Sequence, residues 1–160
     1  QYVPLKKGFQ VDIAGPITKY LKKSQRNVRY RFRGKGIESH PAAIASLEKV
    51  QKQRNAVISI TEYKGTNNIP DLKCYLSYLE QLEKLFPLTN DKVNKGLAIK
   101  LDYQHPFVWA DSFSKKKYTV SSIIYEKAAV MFNIAALYTQ AAFEAYNVDI
   151  GWVPNRRQKI

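Results

Sequence analysis

The chain has 160 residues, 45% of them hydrophobic, which is enough for one compact core and sets it as one globular domain or part of one. Against 13 acidic side chains stand 26 Lys and Arg, a formal charge of +13 that suits nucleic acid, an anionic lipid surface or an acidic protein face, and charge alone does not choose among them. A single cysteine, Cys74, excludes an internal disulfide framework, and with no Asn-x-Ser/Thr sequon and no secretory apolar region near residue 1 the expectation is an intracellular, reducing location.

Val3 to Lys7 carries Pro4, so a strand there belongs on a sheet edge, where the missing N–H is harmless. Asp12 is placed to cap a helix over roughly 12–23, with Ile13, Ile17, Tyr20 and Leu21 at spacings of three and four and Pro16 in the first turn. From Lys19 to Lys35 come eight Lys or Arg residues and no acid, interleaved with Tyr30 and Phe32 and ended by Gly34 and Gly36, which reads as a basic loop. Ser39 and Pro41 open a second helix, roughly 40–58, with an apolar stripe of Ile44, Leu47 and Val50. After a turn-rich break at Thr66 to Pro70, Asp71 opens the clearest amphipathic helix, on which Leu72, Tyr75, Leu76, Leu79, Leu82 and Phe86 share a face before Pro87 stops it.

Leu97, Ile99, Leu101 and Tyr103 alternate with Ala98, Lys100 and Asp102, the period of a half-buried strand. Phe107 to Phe113 continues it after a turn at His105 and Pro106, and Lys115 to Val120 is placed to pair back, although no Asn-Gly or Asp-Gly turn signal stands between them. Ser121 or Ser122 caps a last helix to about Tyr146, apolar on nearly all faces. Its apolar run, Ala128 to Phe143, falls short of the roughly 20 residues of a bilayer span, so it is expected to be a buried core helix surrounded by others.

Catalytic chemistry finds little support. His40 and His105 each precede a proline, 65 positions apart and outside any metal-ligand spacing. Cys74 falls beside the apolar face of its helix with no local base, which reads as a buried inert thiol. Arg33-Gly34-Lys35-Gly36 lacks the spacing of a phosphate-binding loop, and no nucleophile elbow or zinc-protease helix appears. No catalytic, metal or cofactor site and no small-molecule substrate is expected. The basic loop, with Arg26, Arg29, Arg31, Arg33 and Lys35, is either a solvated surface, a contact for anionic membrane or acidic protein, or a site for nucleic acid, for which no surrounding motif is found.

Several separated segments, taken in order, resemble the Bro family, the interaction module of Alix-like scaffolds. Val3-Pro4-Leu5-Lys6-Lys7 with Val11-Asp12 and Pro16 is similar to the family's opening strand and first helix. Gln53-Arg54-Asn55-Ala56 resembles its Leu-Arg-Asn-x-Ala, Tyr75 to Pro87 its tyrosine-bearing helix ending in Lys-Phe-Pro, and Phe107 to Phe113 its Phe-x-Trp-x-Asp-x-Phe. The most specific match is Tyr125 to Gln140, reading YEKAAVMFNIAALYTQ. Departures are the basic insertion around Arg26 to Lys35, extra residues between Tyr103 and Phe107, and Gly151 to Gln158.

The resemblance implies a mainly α, curved, solenoid-like domain of stacked helix hairpins with a small antiparallel β-sheet near its N-terminus. Residues 1–160 would be the N-terminal portion of that single domain, the remainder lying beyond Ile160. It implies a non-enzymatic scaffold that holds the amphipathic C-terminal helix of ESCRT-III subunits in a concave groove, cytoplasmic and peripheral on endosomal membranes, in multivesicular-body sorting and membrane remodelling. Other branches serve cell-surface adhesion or signalling. The motif beside the groove reads Asn-Leu-Asp, then Leu-Lys-Ile, which carries the expected partner-binding role to Asp149, Lys159 and Ile160 across intervening residues.

Overall fold

The computed structural model describes residues 2–19, 41–85 and 107–149. A helical segment at 14–19, α1, is followed by α2 (Pro41–Ile58), a 3-10 turn (Thr66–Asn68), α3 (Ile69–Leu85), strands β1 (Phe107–Ala110) and β2 (Lys117–Val120), and α4 (Ile123–Asp149). The architecture is thus mainly helical with a two-stranded antiparallel sheet, as expected. Lys19, the first residue of the expected basic loop, is helical in α1, and the loop's residues 20–35, the expected strand at 97–103, His40, His105 and Pro87 lie outside the described residues.

Local chemistry explains the boundaries. The Asp12 carboxylate accepts a hydrogen bond from the Gly15 N–H at 2.8 Å, occupying a first-turn donor that has no helical partner, and Ile13 and Ile17 turn into the core. Gln51 of α2 then fastens this start, its Oε1 accepting from the Ile13 N–H at 2.7 Å and its Nε2 donating to the Val11 carbonyl at 3.0 Å. Helix α3 begins two residues earlier than the expected Asp71, because Pro70 fits the first turn, where helical N–H groups have no partner. Leu72, Tyr75, Leu79 and Leu82 are buried at steps of three and four, so this face packs between α2 and α4.

Cys74 corrects the sequence reading: it is exposed. At about 100° per residue, position 74 sits about 100° from Tyr75 and about 150° from the line through Leu72 and Leu79, and that rotation carries it out of the interface.

Strand β1 pairs antiparallel with β2, Phe107 opposite Val120 and Ala110 opposite Lys117. The expected extension of β1 to Phe113 does not form, because Asp111 starts a turn: its Oδ1 accepts from the N–H groups of Phe113 and Ser114 and from the Ser114 hydroxyl. Lys115 takes the left-handed conformation at φ 59° that a glycine usually supplies, so the hairpin closes without a glycine signal. On the other edge of β1, Gly8 bridges to Trp109, with Phe9 N–H bonded to the Val108 carbonyl and Ala110 N–H to the Lys7 carbonyl. The N-terminal segment therefore lies along β1 as a short edge. Among the described residues no helix is long and apolar enough to cross a membrane.

Candidate docking surfaces

Helix α4 organises the molecule through two opposed faces. On the inner face three buried polar side chains, Glu126, Asn133 and Gln140, recur every seven residues, a step that returns to nearly the same side of a helix. Glu126 accepts from Arg54 Nε at 2.9 Å, from the Tyr75 hydroxyl at 2.9 Å and from Trp109 Nε1 at 2.6 Å. Asn133 pairs with the backbone of Lys6 in both directions, at 2.7 and 3.0 Å, and Gln140 donates to the Val3 carbonyl at 2.7 Å. One column of α4 thus holds α2, α3, β1 and the N-terminal segment in register. An amide is the right group at the last two positions because an edge segment presents both donors and acceptors that need partners.

Two residues before each of these, on the far side, stand Ile124, Met131 and Tyr138, exposed at 55%, 56% and 48%. Exposed Ala128, Ala135 and Ala142 fill the intervening steps of four and three. This is an apolar stripe, large and small side chains alternating, open at Ile124 and Met131 and met at Tyr138 by Lys73 of α3, which donates to the hydroxyl at 2.9 Å. A folded surface seldom leaves such a stripe open unless something docks there.

A second feature lies at the C-terminal end of α4, where residues 2–5 and 61–63 meet it around a groove of about 590 Å³. Tyr2 and Phe143 form a tilted ring pair with centroids 6.3 Å apart, and the Tyr63 hydroxyl donates to Glu144 Oε2 at 3.0 Å. Burial first, then this hydrogen bond and the Glu144 charge, push the Tyr63 hydroxyl above its ordinary pKa. Glu62 and Glu144 line the groove, and among the described residues no Lys or Arg does.

Among the described residues no group of three His, Cys, Asp or Glu is placed to hold a metal ion. The buried carboxylate of Glu126 is saturated by three donors that belong to the core, so it is a structural anchor.

The model of the BRO1-like domain matches residues 1–150. The chain belongs to the BRO1-like domain family. It is 30% identical to ALG-2 interacting protein X of Dictyostelium discoideum over 86% of this chain and 15% of that protein. To programmed cell death 6-interacting protein of Homo sapiens it is 27% identical, over 92% of this chain and 16% of that protein. To the vacuolar-sorting protein BRO1 of Saccharomyces cerevisiae it is 31% identical, over 91% and 15%. The chain therefore spans about a sixth of the length of these relatives. Among solved structures, ALIX in complex with the SIVmac239 PYKEVTEDL late domain superimposes with a TM-score of 0.68 at 26% identity, covering 89% of this chain and 19% of that one. A Bro1 domain structure described as the basis for endosomal targeting shares the fold at a TM-score of 0.61, covering 36% of that chain.

Within this BRO1-like chain the motif residues Arg54, Tyr75, Trp109 and Glu126, quoted from four separated segments, converge on one buried hydrogen-bonded centre. The residues expected at a partner site fare differently. Asp149 is the last residue of α4. Lys159 and Ile160 lie outside the described residues, as do Arg26, Arg29, Arg31, Arg33 and Lys35. Sequence reasoning missed the groove altogether. Its one available signal was Glu144, the sole acid between Glu126 and Asp149, set beside Phe143 in an otherwise apolar helix.

Proposed function

We propose that this chain forms the N-terminal part of a non-enzymatic BRO1-like docking domain, whose completed form binds the amphipathic C-terminal helix of an ESCRT-III subunit at endosomal membranes. The match to the BRO1-like model over residues 1–150 carries this reading. A relative named for vacuolar sorting and a structure described for endosomal targeting support the setting, and ALIX with a bound late-domain peptide supports a peptide-docking role.

The physical requirements agree. Helix-in-groove recognition needs apolar anchors and a few rim charges, with no reactive group. The stripe of Ile124, Met131 and Tyr138 supports a domain that continues beyond Ile160, since a following helix of the same chain would cover it. Asp149, Lys159 and Ile160 then belong at the edge of the groove that this continuation completes. The basic residues Arg26, Arg29, Arg31, Arg33 and Lys35 would add a second contact, to an anionic membrane surface, at roughly 1 kcal/mol per charge near the lipid.

The test is a titration of a fluorescent ESCRT-III C-terminal helix peptide against the intact protein. Saturable binding is expected, with a folded Ile160→Asp variant losing several kcal/mol of affinity, on the order of 2–4, because a desolvated anchor site would then hold an unpaired charge. Lys159→Ala should cost less and act mainly on association rate and salt dependence. Absence of binding overturns the reading, while unchanged affinity in both variants removes these two residues from the site.

A further inference from the structure

The groove at the C-terminal end of α4 is lined from that helix by Gln140, Phe143, Glu144 and Asn147. Its walls are the rings of Tyr2, Tyr63 and Phe143, and its carboxylates are Glu62 and Glu144. In a chain with twice as many basic as acidic residues, a concavity lined among the described residues by two carboxylates and no cation is the reverse of the overall balance. The two acids are not equivalent. Glu62 is engaged by Lys64 at 2.9 Å in an exposed pair. Glu144, among the described residues, accepts a hydrogen bond from the Tyr63 hydroxyl and meets no cation.

We propose that this groove docks an extended peptide of a partner protein that presents an arginine side chain beside an apolar residue. The chemistry fits point by point. A guanidinium has five donors in a planar fork and stacks on aromatic faces, so it satisfies a carboxylate and a ring wall together. Glu144 supplies the carboxylate, oriented by the Tyr63 hydroxyl at 3.0 Å, and Phe143, its neighbour on α4, supplies a ring in the same groove. Tyr2 and Leu5 offer apolar surface for the adjacent side chain of the peptide. A choline headgroup would meet the rings equally well but has no donor for Glu144, so the paired carboxylate and hydroxyl favour arginine over a lipid. The volume of about 590 Å³ holds a few residues rather than a long helix.

The experiment is an NMR titration of the intact, isotope-labelled protein with the acetylated, amidated tripeptide Leu-Arg-Leu, and in parallel with the same peptide carrying citrulline in place of arginine. The arginine peptide should shift resonances of Tyr2, Tyr63 and Phe143, and the citrulline peptide should bind about tenfold more weakly. Glu144→Gln, which keeps the shape of an exposed side chain, should reduce affinity by about tenfold, and Phe143→Leu by about threefold, with Glu80→Gln on α3 as an unaffected control. The assignment is overturned by equal affinity for the two peptides, by indifference to Glu144→Gln in a variant with an unchanged spectrum, or by no shifts at the groove. It is overturned equally if phosphatidylcholine vesicles shift these resonances and the peptide does not, or if Glu144→Gln abolishes a self-association measured by sedimentation. Because this test reads the guanidinium through citrulline and Glu144→Gln, and the ESCRT-III helix titration reads Ile160→Asp, failure of one is distinguishable from failure of the other.

Discussion

Arg54 and Glu126, 72 residues apart in the chain, meet as a fully buried ion pair with Nε and Oε1 2.9 Å apart. Arg54 also donates from Nη1 to the Phe9 carbonyl at 2.9 Å and lies over the Phe107 ring, so one side chain ties α2 to the N-terminal segment, the sheet and α4. The pair is surrounded by satisfied partners on the Glu126 side, whereas Arg54 Nη2 is buried without one among the described residues. Breaking such a pair from one side is far costlier than its net worth, because the surviving charge stays buried. Glu126→Ala should lower stability by about 3–5 kcal/mol, since it also strips the Tyr75 hydroxyl and Trp109 N–H of their acceptor. Adding Arg54→Met to Glu126→Ala should recover part of that loss, since no charge is then left buried alone. A double-mutant cycle by chemical denaturation measures it, and strictly additive losses would show that the two do not act as a pair.

This centre also shows what could be read from the sequence. Arg54, Tyr75, Trp109 and Glu126 stood out as motif residues, but spacing along a chain says nothing about convergence between segments. Their meeting became visible only in the fold. Periodicity found the buried faces of α2 and α3 because a helix interface repeats every three to four residues. It misplaced Cys74 because one residue of error is 100° of rotation. The stripe of α4 was read as buried from composition, and it stays open at Ile124 and Met131 among the described residues because apolarity reports a need for cover without naming what supplies it. The groove escaped because it joins three segments whose individual residues are ordinary.

Gly8 carries a steric prediction. A Cβ added there would lie 2.5 Å from Ile58 Cγ2 and 3.1 Å from Trp109 Cζ3. The first is a branched methyl on a helix and the second a buried ring, and neither can swing away freely. Gly8→Ala should therefore cost about 1–3 kcal/mol by forcing the N-terminal segment off β1, seen as a lower unfolding midpoint and faster exchange of the Phe9 and Ala110 amides. A Gly8→Ala protein as stable as the parent would mean the segment is held elsewhere, chiefly by Asn133 and Gln140.

The Asp111 turn is predicted to respond to acid. Hydrogen bonds from the Ser114 backbone and hydroxyl, then from the Phe113 N–H, with the nearby Lys6 charge, hold its carboxyl at about 2, below the ordinary 3.8. A folded-state pKa below the unfolded value stabilises the fold above 3.8, and that contribution is lost as the pH falls through about 2. Melting temperature should fall in this window, and Asp111→Asn, which keeps an acceptor but does not titrate, should flatten that part of the profile. An unaltered acid profile in the variant would assign the acid response to other carboxylates.

The open face of α4 gives the last prediction, a direct test of whether the domain continues beyond Ile160. Met131 is 56% exposed at the middle of the stripe, between Ala128 and Ala135. If a following helix covers this face in the intact protein, a cysteine placed at position 131 should be sheltered there and freely reactive in the 160-residue chain. The comparison is made with Met131→Cys in a Cys74→Ser background, because the exposed Cys74 would otherwise react in both. Maleimide labelling should be at least about tenfold slower in the intact protein, since reaction at a packed interface must wait for local opening. The same helix should make the stripe intolerant of charge: Met131→Asp should destabilise the intact protein by several kcal/mol, about 2–4, yet leave the 160-residue chain within about 0.5 kcal/mol of its parent. Equal labelling rates in the two forms would leave the stripe solvent-facing in the whole protein, and the argument for a covering continuation would fail.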